Sequence, residues 1–276
     1  MGLKLSDDEV KRILNVLSDK TGIVFEERKM AEVYKHKLED FIASLPYRDF
    51  NKLILDITTG RNKKLLEELV NRITVNETYF FRESYQFEVL VDYCIPEIVK
   101  SKSGSEPIRI LSAPCSTGEE VYSIMIYLLE EGSYINRYDF MILGVDIDVK
   151  AIERAKKGIY SERSVHKLSR DLLEKYFQKV GKGQYQVKRF LREGANFLVV
   201  NILDKEKMLE LGKFDVIFSR NMLIYFDAQN KAKAIDIFYE LLNPGGFLFL
   251  GHAETLNAPD KFELVKYDNN FIYRRR

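Results

Sequence analysis

A doubly wound, mostly parallel α/β sheet preceded by an all-helical domain is the fold this sequence predicts, on three observations. From Ile108 onward, short apolar runs alternate with segments of helical period, the pattern of a parallel sheet with crossover helices. Before that, about 70 residues are helical throughout. Between the two patterns, Ile108–Glu120 reads as a buried strand, a tight turn of small residues and a helix start. That is where an α/β protein turns backbone N–H groups toward a nucleotide-like ligand. The chain of 276 residues, 46% hydrophobic, has room for one large domain or two modest ones and can bury a substantial core. The boundaries expected are a helical domain at 1–75, a linker and cofactor lid at 76–106, and an α/β domain at 107–276.

The helical part opens at Ser6, a capping residue followed by Asp7, Asp8 and Glu9 in the first turn. Val10, Ile13, Leu14 and Leu17 then share one face, and Thr21-Gly22 stops the helix. Further helices are expected over Arg28–Ala43, Arg48–Thr58 and Asn62–Val70. The polar and aromatic run Ile73–Glu83 has no clear period, and Tyr85–Val99 reads as a helix before a flexible turn at Ser101–Ser105. Strands are expected at Ile108–Ala113, Phe140–Asp146, Phe197–Ile202, Phe214–Ser219 and Phe247–Gly251. Helices are expected at Glu119–Glu130, Val149–Lys157, Arg170–Phe177 and Gln229–Leu241. Asn243-Pro244-Gly245-Gly246 turns the last helix into a strand. Phe262–Tyr267 and Phe271–Arg274 read as an antiparallel edge pair. Tyr176–Val200 interrupts the alternation. Its Gln184–Phe190 stretch alternates polar and apolar residues, so a small antiparallel β insertion is expected at about 176–200.

The turn after the first strand carries one glycine where a dinucleotide loop needs three, and Glu119 and Glu120 open its helix. Carboxylates there repel a pyrophosphate. They suit a ligand with a cationic centre and sugar hydroxyls, such as S-adenosylmethionine (SAM). Either glutamate could pair with its ammonium; Glu119 sits nearer the turn. Asp146 ends the second strand, where an acid can accept from both ribose hydroxyls. Asn201 ends the third, where an amide can read the adenine edge. Arg220 and Asn221 follow the fourth strand and should line the crevice. Tyr225 comes one turn later, placed to hold a substrate carboxylate or to orient a methyl group. Arg82, amid Tyr79-Phe80-Phe81, is either half of a structural pair with Glu77 or Glu83 or a clamp for a carboxylate.

A net charge of +1 argues against a nucleic-acid binder held by global charge. The two cysteines, Cys94 and Cys115, supply neither a disulfide framework nor a four-ligand zinc site, and the three histidines lack metal-ligand spacing, so no metal is expected. The charged N-terminus lacks a signal peptide's apolar stretch and no run is long enough to span a bilayer, so a cytoplasmic protein is expected.

Taken together, Asn76–Glu83, Ser112–Glu120, Asp146–Asp148, Phe218–Asp227, Asn243–Phe247 and Gly251–Glu254 resemble the chemotaxis receptor methyltransferases of the CheR family over nearly the whole chain. The resemblance implies a Rossmann-like SAM-methyltransferase domain with a helical N-terminal domain and an inserted β subdomain. It implies methyl transfer from SAM to receptor glutamates, giving methyl esters and S-adenosylhomocysteine. It implies cofactor contacts from Asn76, Thr78, Arg82, Glu119, Asp146, Asn201, Ile202, Arg220 and Asn221, with Arg82 and Tyr225 at the transfer site. Partners would be the cytoplasmic domains of chemoreceptors, in some members with a receptor C-terminal peptide on the β insertion; a monomer is expected. A cofactor-sensing module without transferase activity, and a methyltransferase acting on RNA or a small molecule, are the alternatives. Neutral pH already ionises a glutamate of pKa about 4.3, so the chemistry needs no general base.

Overall fold

The computed structural model describes residues 4–25, 33–47, 49–73, 77–102, 106–131 and 133–276. Arg28 and Arg48, the starts expected for two helices, the turn residues 103–105 and the proposed cofactor contact Asn76 lie outside the described residues. Residues 1–75 with 225–231 form one compact unit, and 76–224 with 232–276 a second.

The first unit is built on α1 (Asp7–Thr21), α2 (Lys35–Ala43), α3 (Phe50–Thr59) and α4 (Lys63–Ile73). Ser6 starts α1 through a capping box. Its backbone N–H donates to the Glu9 carboxylate at 2.8 Å, and its hydroxyl accepts from the Glu9 N–H at 3.3 Å. Gly22 ends the helix in the left-handed region with φ 79°. Val10, Ile13 and Leu17 of α1 are fully buried, as are Leu38 and Ile42 of α2, Leu53 and Ile57 of α3 and Leu69 of α4. These residues recur at helical spacing, so each helix turns one apolar stripe inward.

The second unit begins with α5 (Tyr85–Val89), which passes through a π-helical turn at Leu90–Cys94 into α6 (Ile95–Ser101). β1 (Ile108–Ser112), α7 (Glu119–Glu130), β2 (Phe140–Asp146) and α8 (Val149–Lys157) follow. Next come β3 (Ile159–Ser161), α9 (Glu162–Val165), α10 (Arg170–Tyr176), β4 (Phe177–Gly181), β5 (Gln184–Val187) and α11 (Arg189–Gly194). The chain ends through β6 (Ala195–Val199), α12 (Lys205–Glu210), β7 (Phe214–Ser219), α13 (Ala228–Leu241), β8 (Leu242–Leu250), β9 (Phe262–Tyr267) and β10 (Asn270–Arg275).

Seven strands form the main sheet in the order β6-β2-β1-β7-β8-β10-β9. The pairs β1–β2, β1–β7, β2–β6 and β7–β8 are parallel, and β10 is antiparallel to both β8 and β9. The doubly wound reading therefore stands, with its antiparallel edge. Ile110, Val216, Phe218, Phe247 and Phe249 pack in one core with Phe87, Leu90 and Ile95 of the preceding helices and Val121 and Ile124 of α7. Phe218 stacks on Phe249 at 4.3 Å. The alternate strand residues Leu111, Ile217 and Leu248 are also fully buried, so the sheet is covered on both faces.

A second, three-stranded antiparallel sheet has the order β3-β5-β4. It differs in extent from the insertion expected at about 176–200. Ile159–Ser161, upstream of that range, supplies an edge strand, whereas Ala195–Val199 belongs to the main sheet beside β2. Gln184–Phe190 is a strand only to Val187, after which Arg189–Gly194 is helical. No helix among the described residues is long and apolar enough to cross a membrane.

Candidate functional site

Outward from β1 the chain runs to β2 and β6, then returns to β7 on the other side of β1. The carboxyl ends of β1 and β7 flank the point where strand order reverses, the place where open α/β sheets bind ligands. The turn after β1 is fixed to both neighbours: the Ala113 N–H donates to the Phe218 carbonyl and the Cys115 N–H to the Val145 carbonyl, each at 2.8 Å. Ser116 follows with φ 47° and Gly118 with φ 94°. A Cβ on Gly118 would lie 2.7 Å from Cβ of Ala155, so both the backbone angle and the space demand glycine.

Two buried carboxylates face this turn. Asp146, 5% exposed at the end of β2, accepts from the Ser116 N–H at 2.8 Å and from the Asp148 N–H at 2.9 Å. Those donors favour its charge, yet burial dominates and pushes its carboxyl up to about 6. Glu119, 2% exposed at the start of α7, accepts from the Thr117 hydroxyl at 2.6 Å and from the Ser164 hydroxyl at 3.1 Å. Burial raises its carboxyl as well. Asp148 caps α8 by accepting from the Ala151 N–H at 2.9 Å.

Glu120 is engaged differently from Glu119. It accepts from the Ser112 hydroxyl at 2.7 Å, and its other oxygen lies 3.0 Å from Nε of Arg220. That ion pair is close but poorly aligned, since Nε makes no properly directed hydrogen bond. Nη2 of Arg220 donates to the Arg82 carbonyl at 2.6 Å, and the guanidinium lies over the Phe87 ring at 5.4 Å. Gln86, beside it, donates to the Leu250 carbonyl at 2.8 Å. Arg220 therefore ties the end of β7 to α7 and to the 77–86 segment.

The 77–83 segment is itself bent. Phe81 and Glu83 have φ of 62° and 55°, which is uncommon for side chains of that size. The Phe81 N–H donates to the Ser123 hydroxyl at 3.1 Å. Half-buried Arg82 donates to the Glu77 carbonyl at 2.6 Å, with its guanidinium 6.0 Å from the Tyr79 ring centroid. The pairing weighed from sequence is thus made through the backbone of Glu77, whose carboxylate instead lies 3.3 Å from Arg163. Thr78 is half-buried in the same segment.

Asn221, with φ 56°, donates its N–H to Glu254 at 2.7 Å. The same oxygen accepts from the Gly251 N–H at 2.7 Å, and the other from the Ile224 N–H at 3.3 Å. Buried Glu254 thus links the loops after β7 and β8. Sequence reasoning gave it no such role: the acid lies 33 residues from Asn221 and is adjacent only in the fold. Asn201 uses its side-chain oxygen to accept from the Leu203 N–H at 2.9 Å, and Ile202 is buried. The Val200 N–H joins this corner to the Asp146 carbonyl at 2.9 Å. Tyr225 belongs to the helical unit, where its carbonyl accepts from the Val24 N–H at 2.7 Å.

The chemistry of this wall can be tested against a ligand. Two desolvated carboxylates and an acid-led helix start disfavour a polyphosphate and suit hydroxyl donors and a cationic centre. SAM offers a ribose, an ammonium and a sulfonium, so the residues present fit it. A doubly wound sheet with buried acids beside its switch point matches what one class of protein requires: a SAM-dependent methyltransferase.

The comparisons carry this to a family. The family model described as "CheR methyltransferase, SAM binding domain" matches residues 76–271. The chain is 40% identical over 262 residues to Chemotaxis protein methyltransferase 2 of Vibrio cholerae serotype O1, covering 95% of this chain and 90% of that one. It is 35% identical over 271 residues to Chemotaxis protein methyltransferase 1 of Pseudomonas aeruginosa, covering 96% and 97%. Among solved structures it is similar to the N-methyltransferase NodS of Bradyrhizobium japonicum WM9, with 15% identity, a TM-score of 0.40 and coverage of 74% and 92%. The chain belongs to the CheR methyltransferase family.

Proposed function

We propose that this enzyme methylates glutamate side chains of methyl-accepting chemotaxis receptors for sensory adaptation. The observation that carries the reading is the family match over residues 76–271, which contain the buried acidic turn. When bound, SAM supplies an electrophilic methyl group, and transfer to a glutamate oxygen leaves a glutamyl methyl ester and S-adenosylhomocysteine.

In this reading Asp146 accepts from the ribose hydroxyls and Glu119 pairs with the ammonium. The commitment of Glu120 to Arg220 and Ser112 supports that choice between the two glutamates. Asn76, Thr78, Arg82, Asn201, Ile202, Arg220 and Asn221 complete the cofactor contacts. Arg82 and Tyr225 orient the carboxylate of the receptor. Orientation and partial desolvation are what the reaction asks of the protein, because the nucleophile is already ionised. Few contacts should hold it, since strong ground-state binding slows transfer.

The domain reading is kept: a helical domain at 1–75, a linker and lid at 76–106, and a methyltransferase domain at 107–276. The enzyme would act in the cytoplasm as a monomer on the receptors' cytoplasmic domains. A receptor C-terminal peptide could add to the small sheet, whose edge strands β3 and β4 each have a single neighbour in it. Methyl-labelled SAM, incubated with the enzyme and membranes carrying the host's receptors, tests the reaction and substrate class together. Base-labile label on receptor glutamates is expected. Label on nucleic acid or small molecules alone, or none, would overturn the assignment.

A further inference from the structure

β3 of the small sheet and α9 after it each send one side chain into the wall just described. The Tyr160 hydroxyl, on β3, donates to the Thr117 carbonyl at 2.7 Å. It sits so close to the turn that a Cβ on Gly118 would approach it to 3.1 Å. Four residues later, the Ser164 hydroxyl on α9 donates to the Glu119 carboxylate at 3.1 Å, and the Ser164 carbonyl accepts from the Phe80 N–H at 2.9 Å. Phe80 is fully buried, edge-on to Tyr160 at 4.9 Å and to Phe177 at 5.0 Å. The 159–165 stretch therefore touches both the turn after β1 and the 77–83 segment. Neither residue belongs to a nucleotide-binding motif or to the insertion expected from sequence.

The geometry points to Tyr160 and Ser164 as positioning residues of the cofactor site, Tyr160 holding the Thr117–Gly118 turn and Ser164 orienting the carboxylate of Glu119. The small sheet is then part of the cofactor pocket's wall as well as a surface for partners. This rests on the reading that Glu119 faces the cofactor. Hydrogen bonds from neighbours fix the orientation of groups that touch a ligand, and losing one costs affinity without removing a ligand contact. Burial pushes the Tyr160 phenol well above its ordinary range, so it stays a neutral donor at working pH. Besides Thr117 and Ser164, Arg154 on α8 acts on Glu119 and favours its ionised form.

The test uses the full chain, with calorimetry of S-adenosylhomocysteine binding over about pH 5.5 to 8.5 and steady-state transfer to receptor membranes. Ser164→Ala is expected to weaken binding roughly tenfold and to raise KM for SAM, leaving kcat within about twofold. It should also move the acidic limb of binding to higher pH, because the hydroxyl it removes favours ionised Glu119. Ser164→Thr should restore most of the affinity. Tyr160→Phe should weaken binding without moving that limb, since its partner is a carbonyl. Lys266→Ala, exposed on β9 at the far edge of the main sheet, should behave as wild type. Folded Ser164→Ala and Tyr160→Phe with wild-type affinity and an unmoved limb would overturn the positioning roles. A wild-type chain that binds no S-adenosylhomocysteine would instead overturn the reading on which they rest.

Discussion

The raised carboxyl of Asp146 makes cofactor binding a function of pH in a calculable way. Burial lifts it from 3.8 to about 6, so the folded protein binds the proton that the unfolded chain has released. The stability it contributes is fully present below about pH 4 and is lost as pH rises through about 6, a difference of roughly 3 kcal/mol. At neutral pH the free enzyme carries a desolvated carboxylate that ribose hydroxyls can satisfy. A ligand that needs the ionised form binds more weakly by 1 + 10^(pKa − pH), about 1.1-fold at pH 7 and about 11-fold at pH 5. Calorimetric titration with S-adenosylhomocysteine between those values measures the limb. Glu119, raised in the same direction, adds a second step. Asp146→Asn should bind more weakly throughout and lose the Asp146 step while keeping that of Glu119. Wild-type affinity that is flat from pH 5 to pH 7, or an unchanged slope in Asp146→Asn, would refute the reasoning.

Other perturbations separate structural from chemical roles. Glu120→Ala strands the buried Arg220 guanidinium and should destabilise the fold by about 3–5 kcal/mol in urea unfolding. Gly118→Ala places a Cβ 2.7 Å from Ala155 at a left-handed angle, so it should cost about 2 kcal/mol and weaken S-adenosylhomocysteine binding. Arg82→Ala and Tyr225→Phe should lower kcat more than they weaken S-adenosylhomocysteine binding. Equal losses in a transfer assay and in calorimetry would remove the orienting roles given to them.

The parts of this fold legible in the sequence are those with local causes. Phe140–Asp146 and Phe214–Ser219 are strongly apolar runs bounded by polar turns, and their ends match the strands residue for residue. Glu119–Glu130 and Val149–Lys157 match equally well, the second because Asp148 caps it and Gly158 ends it. Ile159–Ser161 is too short to carry a period of two, so the small sheet's edge strand was not expected. Leu198 and Val199 are apolar yet nearly half exposed on the edge strand β6, which blurred where the insertion ends and the sheet resumes. In the site, Asp146 and Glu119 could be read from their positions at a strand end and a helix start. The contact of Arg220 with Arg82, 138 residues apart in sequence, leaves no local pattern and emerges only from the folded arrangement.

The account stands most directly on where the cofactor binds, and a crystal structure of the full chain with S-adenosylhomocysteine measures it. The ribose hydroxyls are expected within hydrogen-bond reach of the Asp146 carboxylate, with Glu119 beside the amino group. A cofactor lodged away from the carboxyl ends of β1 and β2, with both carboxylates out of reach, would contradict it.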